Sequence, residues 1–294
     1  MNKRPRAVVF AYSEVGHRCL GALIHSGANI RGVFTYRDDP GENTWFGSVA
    51  DLARENGIPV FTPNGVRSPE AVEQIRDLDP EIIFSFYYRD IIPGAVLDLP
   101  RLGAFNMHGS LLPKYRGRAC LNWAIIHGET ETGPTLHWMT EKPDEGDIVD
   151  QEKVPIGPDD TALIVMLRIA EAAERLLERN LPLLESGKAP GIPQDHSLAT
   201  CFGGRKPEDG KIDWGASAKE ICNLVRAVTH PYPGAFTFID GGKMMIWKAS
   251  PLADDRGEAP GTILSRDPLV IAAGEGAVRV EEKSQEGQDQ GRQR

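Results

Sequence analysis

The sequence predicts an α/β fold, a mainly parallel sheet with helices on both faces, followed by a small β-barrel domain. Three observations carry this. From Ala7 to Val154, short apolar runs alternate with amphipathic stretches of helical period, the pattern of a parallel sheet connected by crossover helices. Near residue 190 the composition changes, with Pro190, Gly191 and Pro193 forming a linker. Beyond one last helix, the remaining apolar runs are short strands separated by glycine turns, which reads as a small barrel.

Taken in order, Ala7–Tyr12 is a buried strand, Val15–Ser26 a helix stopped by Gly27, and Ile30–Thr35 the next strand. Phe46–Asn56 has the helical period, with Val49, Leu52 and Ala53 apolar and Gly57 as its stop. Val60–Thr62 is a short strand, Pro69–Leu78 a helix, and Ile82–Phe86 and Gly103–Met107 are strands. Leu121–His127 reads as a helix. Thr135–Thr140 and Ile148–Val154 read as strands joined by the Pro143–Asp147 turn, and Thr161–Glu185 as a long amphipathic helix with few interruptions before Pro182. After the linker, Trp214–Val228 contains a helix. Ala235–Ile239, Lys243–Lys248, Gly261–Ser265, Leu269–Ala273 and Ala277–Glu281 are the strands of the barrel. The expected division is a catalytic domain over residues 1–190, a linker over 191–206, a second domain over 207–282 and a disordered tail over 283–294, where aromatic and aliphatic residues are absent.

Composition bounds the function. The chain has 294 residues, 40% hydrophobic and 26% charged, ordinary for a globular protein with one large or two smaller domains. Its net charge of −9 lacks the broad positive field on which nucleic-acid binding relies, so a nucleic-acid partner is disfavoured. No apolar run is long enough to span a bilayer, and the apolar stretch after the basic start breaks at Ser13-Glu14, so neither a membrane span nor a secretory signal is expected. Cys19, Cys120, Cys201 and Cys222 form no C-x-x-C. They read as free thiols in a reducing, cytoplasmic compartment, and no metal site is expected. No G-x-G-x-x-G follows the first strand, so no NAD site is expected.

The chemistry is concentrated in Phe105-Asn106-Met107-His108-Gly109-Ser110-Leu111-Leu112-Pro113-Lys114-Tyr115-Arg116-Gly117. Alternate strand residues face the same way, so Asn106 and His108 look into one site at a strand's carboxyl end. An amide that donates a hydrogen bond and an imidazole that moves a proton are parts of acyl-transfer chemistry. The glycines and proline that follow make an irregular loop of the kind that carries binding residues. A carboxylate is the natural third member, and Asp144, Glu145, Asp147 and Asp150 all stand in or after the following turn; spacing alone does not choose among them.

The run N-x-H-x-S-L-L-P-x-Y-R-G, followed by the acidic turn, resembles the folate-dependent formyltransferases. Within them it is most similar to the formyltransferase part of bifunctional polymyxin-resistance proteins, which formylates UDP-4-amino-4-deoxy-L-arabinose. The likeness extends to Val8–Tyr12, Asp39–Glu42, Phe84–Arg89, Gly128–Gly133, Thr200–Gly203, Val225–Val228 and Pro233–Phe236. It implies a Rossmann-like catalytic domain and an OB-like barrel, with 10-formyltetrahydrofolate as co-substrate and a small nucleotide sugar as acceptor. It also chooses Asp144 as the carboxylate that orients and charge-balances His108. The co-substrate site it implies consists of Asp90, Ile91 and Ile92 after the fourth strand, Arg118, and Thr140, Glu141, Lys142 and Pro143 of the acidic-turn segment. Ser110, Leu111, Lys114, Tyr115, Arg116 and Asn122 lie in or after the motif loop, and Arg226 and Tyr232 lie in the V-R-A-V…P-G-A-F block; of these Ser110, Arg116, Asn122, Arg226 and Tyr232 are the expected sugar-nucleotide contacts.

Two departures stand out. Cys120 occupies a position that is often proline in the family. This sequence also lacks the decarboxylating dehydrogenase domain of the bifunctional proteins, which leaves two expectations open, a separate dehydrogenase partner or a longer protein of which this is a piece; a homo-oligomer is a further possibility. The alternatives are a methionyl-tRNA formyltransferase, a formyltransferase for another nucleotide-linked amino sugar, a formyltetrahydrofolate hydrolase, and a scaffolding domain with a dead site. The first is disfavoured by the charge and by the short acidic segment Tyr36–Asn43, where that group carries a basic insertion.

Overall fold

The computed structural model describes residues 4–37, 43–253 and 257–285. The Asp39–Glu42 part of the resemblance, and residues 286–294 of the expected tail, lie outside them. The chain forms two compact units that interleave along the sequence. One comprises Met1–Gly117, Thr132–Val154 and Leu167–Cys201; the other comprises Arg118–Glu131, Pro155–Met166 and Phe202–Arg294.

The first unit is built on a seven-stranded sheet in the spatial order Val60–Phe61, Asn29–Phe34, Arg6–Ala11, Ile82–Phe86, Ala104–His108, Thr135–Trp138, Ile148–Gln151. The first five strands pair in parallel and the last two are antiparallel. Every residue of Ile82–Phe86 is buried, as expected of a strand covered on both faces. Phe10, Phe34, Phe84 and Phe105 are among the largest fully buried side chains and fill this core. The helix expected over Phe46–Asn56 is shorter, Val49–Glu55, because the Ser48 side chain accepts from the Asp51 N–H and caps it there. Ser68 does the same for Pro69–Asp77, with proline in the first turn.

The long helix, Ala162–Glu185, does not stop at Pro182. Proline removes one backbone donor, but Leu181 and Leu184 on either side are buried and keep the last turn attached. The strand expected over Thr135–Thr140 ends at Trp138.

In the second unit, a five-stranded antiparallel half-barrel has the order Ala235–Ile239, Gly242–Leu252, Ala277–Gln285, Leu269–Ala272, Ile263–Arg266. The helix Ala218–Val228 packs on it; its start is fixed by a capping box in which Ser217 and Glu220 satisfy each other's backbone N–H groups. The last strand runs past Glu281 to Gln285. Gln285 and Ser284 pair with Met244 and Met245, and the Trp247 indole donates to the Ser284 hydroxyl at 2.9 Å.

Candidate active site

Asn106 and His108 occupy the carboxyl end of Ala104–His108, the last parallel strand of the sheet. Its antiparallel neighbour places His137 opposite Asn106 and Thr135 opposite His108. Directly opposed residues share a face, so a second histidine joins the pair. The alternate residues Phe105 and Met107 point the other way into the core. His108 and His137 are both buried, whereas Asn106 is half-buried.

Asp144 is brought to this face by the acidic turn. Its Oδ1 lies 3.4 Å from His108 Nδ1 and 3.7 Å from His137 Nε2, and its Oδ2 accepts from the Gly117 N–H at 2.9 Å. The other His108 nitrogen, Nε2, is 2.8 Å from the Tyr115 carbonyl. Both ring nitrogens of His108 thus face acceptors, an arrangement that a protonated ring satisfies fully. Asn106 Nδ2 is 3.0 Å from His137 Nε2, and His137 Nδ1 is 2.8 Å from the Trp138 carbonyl. Burial, against the attraction of Asp144, holds His137 down to about 4, and nearby His108 and Arg116 add to the lowering.

The turn that carries Asp144 is clamped from behind. Asp144 has a φ of 59°, a left-handed conformation that a non-glycine residue adopts only where its surroundings require it. Gln194, buried, donates from Nε2 to the carbonyls of Asp144 at 2.8 Å and Gly146 at 2.7 Å. Its Oε1 accepts from Arg116 Nη2 at 2.7 Å. Gly146 is required here: a Cβ would sit 1.9 Å from the Trp138 carbonyl oxygen.

The residues expected to meet a co-substrate divide. Thr140, Glu141, Lys142 and Pro143 are exposed along the same turn. Thr140 belongs to an open cleft of about 530 Å³ with Trp138, Met139, Glu145, Gly146 and Asp147. Ile91 is 48% exposed, and its carbonyl accepts from Arg67 Nε at 3.2 Å. The Asp90 N–H donates to the Tyr36 hydroxyl at 2.9 Å. Ile92 packs into the core with Phe10 and Phe34, so only its backbone is available to a ligand. Arg118 belongs to the second unit, where its N–H donates to the Phe202 carbonyl at 3.0 Å.

The residues expected to meet the sugar nucleotide divide as well. Ser110 is fully buried and its hydroxyl donates to the carbonyls of Lys114 at 2.6 Å and Tyr115 at 3.1 Å, bracing the loop from inside. Arg116 is buried against Gln194, His196 and Glu145, and Arg226 donates to the carbonyls of Gly157 and Asp160. Asn122 and Tyr232 line a cavity of about 190 Å³ in the second unit with Ala119, Arg205, Lys206 and Val228. Among the described residues, no carboxylate lies in ion-pair range of Arg205 or Lys206. Burial pushes the Tyr232 hydroxyl up to about 12.

Sequence reasoning missed His137, Gln194, Arg205 and Lys206. His137 has a signal in retrospect: the strand after the motif loop returns antiparallel beside Asn106, and T-L-H-W puts a polar residue on the face it shares with Asn106. Gln194 sits alone in a linker and carries no signal of its own. Among the described residues, no group of three or more His, Cys, Asp or Glu side chains is arranged to hold a metal ion, and no helix is long and apolar enough to cross a membrane.

A strand-end asparagine and histidine joined by a turn aspartate, on a mainly parallel sheet followed by an antiparallel half-barrel, define a group-transfer enzyme of known architecture. Residues 7–181 match the formyl transferase family, and residues 205–292 match the formyl transferase C-terminal domain. The chain belongs to the formyl transferase family.

Solved structures agree on the fold. An N-formyltransferase from Helicobacter canadensis, in complex with folinic acid and dTDP-3-aminofucose, superposes with a TM-score of 0.76 at 22% identity, covering 96% of this chain and 100% of that one. The sugar 3N-formyltransferase WlaRD, solved with dTDP and 5-N-formyl-THF, gives 0.74 at 21% identity, covering 96% and 98%. HypX from Aquifex aeolicus, in complex with tetrahydrofolic acid, gives 0.65 at 19% identity, covering 97% of this chain and 45% of that one.

Proposed function

We propose that this chain transfers a formyl group from 10-formyltetrahydrofolate to the amine of a nucleotide-linked amino sugar, and that the sugar is UDP-4-amino-4-deoxy-L-arabinose. The observation that supports the chemistry most is the convergence of Asn106, His108 and Asp144 on one face, with His108 Nδ1 and Asp144 Oδ1 3.4 Å apart. The folate and dTDP-sugar ligands of the structurally similar enzymes support the substrate classes. The motif resemblance supports the particular sugar. Asn122 and Tyr232, expected to meet the nucleotide, share a cavity with the cations Arg205 and Lys206, side chains of a kind that suits a diphosphate.

In this reading the amine nitrogen attacks the formyl carbon and a tetrahedral oxyanion forms. The free N–H of the Asn106 amide donates to that oxygen, an interaction worth roughly 3 kcal/mol of barrier. The carbon–nitrogen bond to the folate then breaks, and His108 gives its proton to the departing nitrogen. Asp144, 3.4 Å from Nδ1, orients the His108 ring and balances its charge while it carries that proton, and the proton lost by the amine passes to solvent past the carboxylate. General acid catalysis of this kind contributes about 10²–10⁴ in rate.

The test is a competition among acceptors. The protein is given 10-formyltetrahydrofolate with UDP-4-amino-4-deoxy-L-arabinose, a dTDP-linked amino sugar and methionyl-tRNA together, and products are resolved by mass. Formylation of the UDP sugar first is the expected result. Preference for the dTDP sugar overturns the sugar assignment, and preference for the tRNA overturns the acceptor class.

A further inference from the structure

We propose that His137 is a positioning residue that aims the Asn106 amide at the reacting formyl oxygen; this rests on the formyl-transfer reading above. The inference follows from hydrogen-bond polarity. His137 Nδ1 is 2.8 Å from the Trp138 carbonyl. A carbonyl only accepts, so Nδ1 carries the ring's proton and, in the neutral ring, Nε2 presents a lone pair. That lone pair lies 3.0 Å from Asn106 Nδ2, and an amide NH₂ only donates. The contact is matched in one orientation of the amide; turning it over would set the carbonyl oxygen against the lone pair.

A backbone carbonyl therefore sets the tautomer of His137, and the tautomer sets the direction of Asn106. One hydrogen of the NH₂ group is held by His137. The second leaves the strand's face at a fixed angle, the geometry that makes a preorganised donor effective.

The competing arrangement is a protonated His137 whose Nε2 donates to Asp144. That separation, 3.7 Å, is too long for a good hydrogen bond, and a charged ring would repel the amide NH₂. The groups facing the ring are Asp144, which favours the charge, and His108 and Arg116, which oppose it along with burial. The balance keeps His137 neutral at the pH of catalysis. A buried histidine is ordinarily just a satisfied core residue; what sets His137 apart is that its second nitrogen bonds to the group assigned to the oxyanion.

The experiment is a double-mutant cycle on kcat and KM with both substrates, using Asn106→Ala, His137→Leu, His137→Gln and the combined Asn106→Ala/His137→Leu protein. His137→Leu is expected to lower kcat by about 10–100-fold with both KM values unchanged. His137→Gln, whose side-chain oxygen can accept from Asn106, is expected to recover most of that loss. The combined variant is expected to be no slower than Asn106→Ala alone, because residues acting as a unit do not add. Additive losses, or a His137→Gln protein as slow as His137→Leu, overturn the proposal. If the leucine variant does not fold, His137→Met, which likewise offers Asn106 no strong acceptor, combined with Asn106→Ala closes the same cycle. Full turnover by Asn106→Ala would instead overturn the formyl-transfer roles on which this rests.

Discussion

Gln194 holds Asp144 by its backbone: the side-chain amide donates to the Asp144 carbonyl at 2.8 Å while Arg116 donates to the Gln194 oxygen at 2.7 Å. A residue of the linker thus fixes the turn that delivers the carboxylate to His108. Gln194→Ala leaves two carbonyls and a buried guanidinium short of partners. Each unsatisfied group costs about 1–3 kcal/mol, so a drop in thermal stability is expected together with a fall in kcat of about tenfold. Unchanged kcat in a protein that has lost stability would show that the clamp serves folding alone.

Asp144→Asn keeps the shape of the turn and removes the charge. Its side chain can still accept from the Gly117 N–H, now made by Asp144 Oδ2, so folding should survive. Without the carboxylate, His108 loses the partner of its charged form, and kcat should fall by about 10²–10⁴. Steady-state turnover checks this, and activity within a few-fold of wild type would remove Asp144 from the account.

His137 gives a stability that depends on pH. Its folded pKa is about 4, below the ordinary 6.5, chiefly through burial. Between those values the unfolded chain takes up a proton that the folded one does not, so stability is full above about 6.5 and declines as pH falls toward 4. Thermal unfolding measured across this window should show the decline, and His137→Gln should flatten it. An identical slope in the variant would mean that other groups govern the acid limb.

Arg205→Ala should raise KM for the sugar nucleotide by about tenfold or more, the worth of a charge-assisted hydrogen bond. KM for 10-formyltetrahydrofolate should not change. A selective rise in the folate KM would reassign the cavity lined by Arg205, Asn122 and Tyr232.

Much of the fold was legible because its signals are local. Apolar runs bounded by glycine, and Ser48 and Ser68 as helix caps, state their elements within a few residues. Asn106 and His108 were legible for the same reason, since one strand carries both. The partners that complete the site were harder to read because each arrives from another part of the chain. His137 depends on the register of a neighbouring strand, and Gln194 on a linker folding back onto the acidic turn. The expected sugar-nucleotide residues differ in how far burial leaves them open to a ligand. Ser110, Arg116 and Arg226 stand in a motif loop or conspicuous block, and in the fold their polar atoms also meet backbone carbonyls and the Gln194 side chain, contacts that the sequence pattern does not show.

The central claim is that His108 drives formyl transfer, and turnover by wild-type and His108→Ala protein tests it most directly. Both are given 10-formyltetrahydrofolate and UDP-4-amino-4-deoxy-L-arabinose, and the sugar nucleotide is weighed by mass spectrometry. The account predicts a formylated product from the wild type and a loss of about 10² or more in the variant. Undiminished formylation by a folded His108→Ala protein, or formate release without any formylated amine in the wild type, would contradict it.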